Sequence, residues 1–215
     1  MYIDMHIHAE GSLDSSATVN DYMTKAMELG EEGYRIDGIC VSEHDKYKQP
    51  SPDPELLEQS GLLVMTTMEE SLYYGHALVI FETEEHYKEY IKAKYYIQED
   101  DEKIEMIGSM GGLVIPTHPF RLINSFGTLL GGLQNIDIIE SLNGTNSTNE
   151  NEEALAFMTL HQGRFKGVGG SDAHYVREFG RCLTWFEDDI TNNADLIKAL
   201  KGEKFKAVHM VETKS

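Results

Sequence analysis

Basic residues are scarce in this chain: 18 Lys and Arg stand against 37 Asp and Glu, a net charge of −19 over 215 residues. A surface so acidic repels polyanions, which argues against long nucleic acid as a partner. Cysteine is nearly absent. Cys40 and Cys182 lie in the apolar runs "GICVSEHD" and "RCLTWF", which excludes a disulfide framework and reads as two buried thiols of a cytoplasmic protein. No apolar run approaches the roughly 18–20 residues of a membrane span, and no membrane association is expected. The N-terminus lacks a basic-then-apolar signal segment, with Asp4 standing where one would begin. Internal repeats, low-complexity tracts and long linkers are missing too. The glycine run "GVGG" at 167–170 is not followed by Gly-Lys-Ser/Thr, so it is no P-loop. Its glycines suit a sharp turn or close strand packing.

What is present is alternation. Strand-like text at 2–8, 37–45, 61–70, 75–81, 111–119, 135–144, 166–174, 182–188 and 205–211 is interleaved with helical text at 18–33, 54–59, 84–97, 100–110, 149–165 and 192–201. Thr18, with Asp21 three residues on, predicts a helix cap. The acidic runs "EEHYKEYI", "QEDDEKIE" and "TNENEEAL" read as solvated helix faces. Strands alternating with helices predict an α/β fold with a mainly parallel sheet, closed as a small barrel of about seven strands.

Six of the nine histidines fall at predicted strand ends or turns, each beside an acid, glycine or proline. His6 and His8 close the first strand, His44 sits in "SEHD", His76 in "YYGHAL", His118 in "PTHP" and His174 in "GGSDAH", with Asp172 two residues before it. Residues i and i+2 of a strand share a face, so His6 and His8 can bind one ion together, and Asp172 and His174 can reach neighbouring ions. In parallel α/β barrels, functional groups gather at the C-terminal rim of the strands. A lone His-x-His or a lone Gly-rich bend is a weak signal, and the set as a whole carries the case. Imidazoles with carboxylates suit zinc, manganese or iron better than magnesium. His86, His161 and His209 lie in helical or terminal text and read as surface residues.

Taken in order, "DMHIHAEGSLDSS", "VSEHD", "TMEESLYYGHALVIF", "GGLVIPTHPF", "IIESLNG" and "GGSDAHY" resemble the polymerase-and-histidinol-phosphatase (PHP) superfamily along nearly the whole chain. The resemblance implies one PHP-type domain over 1–215: a distorted (β/α)7 barrel of TIM-barrel type, with two to three divalent ions at the C-terminal strand ends. It implies a first ion held by His6, His8, Glu69 and Asp172. Glu69 would bridge to a second ion, held also by His76 and His118. A third would be held by Asp14, His44 and His174, with Asp14 standing where some members have histidine. Glu70 competes with Glu69 for the bridging place. Asp4, Glu140 and Asn143 are candidates to support the ligands, with Asp4 expected to receive an imidazole N–H.

The implied activity is that of a metal-dependent phosphoric ester hydrolase. A hydroxide shared by ions would attack a small phosphorylated substrate: a phosphomonoester, a nucleotide or a nucleoside bisphosphate. Glu69, Asp172 and His174 would serve as catalytic residues and Arg121 as a phosphate contact; Arg177 and Arg181 are further candidates for that contact. Three ions bring +6 and Asp14, Glu69 and Asp172 bring −3, so the pocket would be positive on an acidic protein. Two other readings stay open: a nuclease on short oligonucleotides, and a metal-binding accessory module without turnover. Nothing in the sequence points to an oligomeric state.

Overall fold

The computed structural model describes residues 1–214. Nine strands and six α-helices follow one another: β1 (Tyr2–Ile7), α1 (Val19–Glu31), β2 (Gly38–His44), α2 (Pro54–Ser60), β3 (Leu63–Leu72), β4 (Gly75–Ile80), α3 (Glu84–Lys94), α4 (Asp100–Ser109), β5 (Leu113–Pro116), β6 (Ile138–Asn143), α5 (Thr148–Leu160), β7 (Lys166–Gly170), β8 (Cys182–Phe186), α6 (Asn193–Lys201) and β9 (Phe205–His209). Local chemistry sets the helix starts. Thr18 with Asp21, and Ser147 with Glu150, form reciprocal capping boxes ahead of α1 and α5. No helix among the described residues is long and apolar enough to cross a membrane.

Seven strands form one sheet in the order β5-β4-β3-β2-β1-β8-β9, and β6 pairs with β7 in a second. The two sheets curl into a distorted α/β barrel, joined by one isolated parallel bridge, Ile7 to Ala173. The expected mainly parallel sheet is corrected to a mixed one. β1–β2, β2–β3 and β6–β7 are parallel, while β3–β4, β4–β5, β1–β8 and β8–β9 are antiparallel. The cause is local: Leu72 and Gly75 pair directly, so β3 and β4 are a tight hairpin with no crossover helix.

Strand parity sorts the core. Cys40, Met65, Leu78, Ile80 and Ile115 point into the barrel with Ile3, Met5 and Val168. Met68, Val79, Tyr87, Tyr90 and Ile107 form an outer layer under α3 and α4, and Ile39, Val41, Tyr22 and Met23 form one under α1. The same parity continues to the rim: Glu69 follows Met65 inward, and Glu70 follows Met68 outward. On β1 the register shifts between Asp4 and Ile7, which lets His6 and His8 face inward after Ile3 and Met5.

The glycines of β7 serve close packing, as expected. A Cβ on Gly170 would lie 2.5 Å from His6 Cβ, and one on Gly169 would lie 2.4 Å from the Leu183 carbonyl oxygen. Thr184 Oγ fills the missing ladder at that place, receiving the Gly169 N–H at 2.8 Å and donating to its carbonyl at 3.0 Å. Cys40 and Cys182 are both buried and free. Two surface readings are corrected. His161 packs 4.0 Å from the Phe157 ring, half-buried, and Asp100 is buried, where it accepts the Tyr74 N–H at 2.7 Å.

Candidate metal centre

Glu69 ends inside the barrel mouth, and five imidazoles surround its carboxylate. His6 Nε2, His76 Nδ1 and His118 Nε2 stand 3.4, 3.5 and 3.3 Å from Oε1. His8 Nε2 and His44 Nδ1 stand 3.4 and 3.0 Å from Oε2. Thr117 Oγ already donates to Oε1 at 2.7 Å. A carboxylate oxygen has two lone pairs, so it cannot accept Thr117 and three ring N–H groups together. Oε2, although buried, has no well-aligned hydrogen bond. His6 Nε2 and His8 Nε2 face each other at 3.1 Å. Two tetrahedral nitrogen ligands at the usual zinc–nitrogen length sit about 3.3 Å apart, so this pair is spaced to hold one ion. The donor set fits a cluster of divalent cations.

Four antiparallel pairings put the rim together differently from a regular barrel. His44 closes a strand that runs toward the rim. His76 opens the antiparallel β4 and so reaches the same rim from the start of its strand. His118 and Asp172 lie just past β5 and β7 with backbone φ of 31° and 54°. This left-handed region is sparsely used by residues other than glycine, and each such residue costs about 1–3 kcal/mol, a cost typical of functional loops.

Asp172 Oδ1 lies 3.5 Å from His6 Nε2 and 3.3 Å from His8 Nε2. Asp14 closes the outer side, its Oδ2 lying 3.4 Å from both His44 Nε2 and His174 Nε2. Three groups of ligand atoms come together: His6, His8 and Asp172; His44, Glu69 and His76; and His8, His44 and His174. All nine expected ligands are therefore in one place, but the grouping is looser than the resemblance implies, because His8 and His44 each serve two groups.

The electrostatics follow from burial and pairing. Burial alone lowers the His6 imidazole, yet Glu69, Glu140 and Asp172 outweigh it and hold it well above the ordinary histidine range. Burial takes His8 down to about 4. Glu69 and Asp172 resist the upward pull of burial, since His6 and its neighbours hold both well below the usual carboxylate range. His44 is raised, because Glu69 outweighs its burial, and Asp14 is lowered, because His174 and His44 outweigh its own.

Support comes from expected and unexpected residues. Glu140 Oε1 takes His6 Nδ1 at 3.0 Å, Oε2 takes the His118 N–H at 2.8 Å, and Asn143 Nδ2 donates to Oε2. Asp4 is corrected: it accepts no imidazole but the backbone N–H groups of Ser171, Gly180 and His6, and burial raises it to about 7 against those bonds. Ser12 and Glu43 were not singled out by the sequence. Ser12 Oγ sits 3.2 Å from His8 Nδ1 and donates to Glu43, which also takes the Gly11 N–H. Glu43 stands in "SEHD" with the parity of Val41, and only that could have flagged it. Arg121 Nη2 bonds Asp172 Oδ2 at 2.9 Å, and Asn143, Thr145 and Asn146 fix it. Arg181 and Arg177 stay outside the cluster. Arg181 donates to the Gly144 carbonyl, and Arg177 stacks 4.3 Å over the Tyr175 ring.

Comparison with known proteins agrees with this architecture. Residues 148–205 match the family model described as PHP-associated. No curated protein sequence matches significantly. PsfC from Pseudomonas syringae shares the fold at a TM-score of 0.66 and 16% identity, over 99% of this chain and 92% of that one. The lesion-specific endonuclease PfuEndoQ from Pyrococcus furiosus matches at 0.63 and 21%, over 96% of this chain and 58% of its own. A two-domain protein from Bacteroides vulgatus containing a predicted PHP-like metal-dependent phosphoesterase matches at 0.61 and 18%, over 98% and 65%. The last two are thus substantially longer proteins. The distorted barrel is thus a fold shared with these structures, and residues 148–205, about a quarter of the chain, resemble the PHP-associated family.

Proposed function

We propose that the protein is a metal-dependent phosphoesterase acting on a small phosphorylated substrate such as a phosphomonoester, a nucleotide or a nucleoside bisphosphate. The observation that carries this reading is the crowding of five imidazoles around Glu69, more ring nitrogens than its oxygens can accept. His6, His8 and Asp172 would hold one cation, and His44, Glu69 and His76 another, with His118 beside Glu69. Asp14, His44 and His174 would hold a third. When bound, divalent cations supply Lewis acidity and positive charge, making water a nucleophile near neutral pH and screening phosphoryl oxygens.

The chain's own residues do the rest. Arg121, held by Asn143 and Asn146, offers its remaining guanidinium N–H groups to the phosphoryl oxygens. Ser12 and Glu140 fix the His8 and His6 rings from behind, so the ligand nitrogens stay aimed without reorganisation. Glu69 and Asp172 stay ionised because the imidazoles hold them so. No side-chain nucleophile is required.

The test is hydrolysis profiling of the purified protein across phosphorylated metabolites with added Mn2+, beside elemental analysis. Release of inorganic phosphate from small esters supports the reading, and metal uptake without any turnover favours an accessory module. Likeness in fold to a lesion-specific endonuclease gives a second reading, cleavage of short oligonucleotides. The net charge of −19 weighs against long strands. Mononucleotides released from an oligomer would decide for it.

A further inference from the structure

Behind the rim, on the outer face of β3, lies a charged pair that the proposed chemistry does not use. Lys94, at the end of α3, is only 6% exposed, and Glu70 only 2%. Lys94 Nζ donates to Glu70 Oε2 at 2.6 Å and to the Asp45 carbonyl at 3.0 Å. Burying both an ammonium and a carboxylate costs several kcal/mol per ion, and apolar residues of similar size usually give equal or better stability. A buried pair of this kind therefore needs a reason other than stability.

Its position supplies one. Asp45 directly follows His44, and Glu70 directly follows Glu69. Asp45 takes a left-handed backbone, φ 55°. Its N–H donates to the Glu69 carbonyl at 2.8 Å. Its carboxylate receives the Ser71 N–H at 2.7 Å and the Ser71 hydroxyl at 2.9 Å. Lys94 thus touches both residues that flank the His44–Glu69 contact, where Nδ1 and Oε2 lie 3.0 Å apart. We infer that Lys94, through Glu70 and Asp45, is a positioning residue: it ties the ends of β2 and β3 so that His44 and Glu69 present their ligand atoms to a shared cation.

The inference rests on the cation-cluster reading, and the experiment separates the two. Mn2+ alone is titrated into wild-type protein and into Lys94→Met/Glu70→Met, with bound ions counted by calorimetry and by the electron paramagnetic resonance of free Mn2+. The apolar pair should fold and melt cooperatively. It should keep wild-type affinity for the ion held by His6, His8 and Asp172. It should bind the ion that uses His44 and Glu69 about 10–100-fold more weakly, the usual cost of removing outer support from a ligand. A purely structural pair would alter melting and leave Mn2+ affinity unchanged, which overturns the inference. Wild-type protein that takes up no Mn2+ overturns the cluster reading and the inference with it. Should the double variant fail to fold, Ser71→Ala at an exposed position removes one arm of the same tie. It should weaken that ion about 2–10-fold, and an unchanged affinity again overturns the inference.

Discussion

The two ends of the barrel differ in what they offer a ligand. At the starts of β5, β6 and β7 lies an open cleft of about 600 Å³, lined by Ile104, Leu113, Val114, Ile138 and Leu200 with Lys166 and Glu203 at its edge. At that edge Lys166 and Glu203 pair with each other, 3.5 Å apart. At the opposite end nine candidate ligand side chains crowd one carboxylate-centred cluster. Volume alone would direct attention to the wrong end. Reactivity is built where lone pairs are forced together, because that arrangement is costly unless a cation occupies it.

Four measurements test this contrast. His8→Ala removes a nitrogen shared by two ligand groups and should lower turnover at least about 100-fold, since even outer support is worth about 10–100-fold. Circular dichroism and melting should show the fold retained, and undiminished turnover would remove His8 from the site. Arg121→Ala should lower kcat/KM for a phosphomonoester about 10–100-fold, the worth of a hydrogen bond to a charged group, with metal content unchanged. Equal kinetics would make Arg121 a purely structural partner of Asp172.

Metal uptake should release a proton from His6, whose carboxylate neighbours hold it protonated through neutral pH. Affinity for Mn2+ should therefore rise with pH, by about tenfold per unit for one proton displaced, as long as His6 stays charged in the free protein. A flat profile from pH 6 to about 8 would mean His6 is already neutral. The smallest effect belongs to the far cleft. Gly108 lines it and has open space beside it. Gly108→Leu should change turnover less than about twofold, as surface substitutions away from a site generally do. A large loss would show that the two ends communicate.

Much of the site was legible because its residues are chemically unusual for their places. His6, His8, His44, His118, Asp172 and His174 all read as strand-end polar groups, and all reached the rim. His76 was legible as text, but not its geometry: it reaches the rim because β4 runs antiparallel, and the Tyr73–Tyr74 turn carries no Asn-Gly or Asp-Gly signal for a hairpin. The mixed sheet was missed for the same reason. Asp4 had the right parity to support an imidazole from behind, but the register shift on β1 leaves its carboxylate on backbone N–H groups instead. Lys94 and Glu43 were invisible. Lys94 sits in a helix whose other charges are solvated, and Glu43 is separated by 31 residues from the Ser12 hydroxyl it holds. Contacts made across such distances leave no periodic trace.

The candidate ligands are divided between the two sheets. His6, His8, His44, Glu69, His76 and His118 belong to the seven-stranded sheet and its loops, while Asp172 and His174 follow the two-stranded one. Among the described residues, strand pairing between these halves is reduced to the Ile7–Ala173 bridge. Any ion gripped by His6, His8 and Asp172 would act as a rivet across that seam. Loading should slow amide exchange along β6 and β7 more than along β2 and β3, so the catalyst would complete its own scaffold.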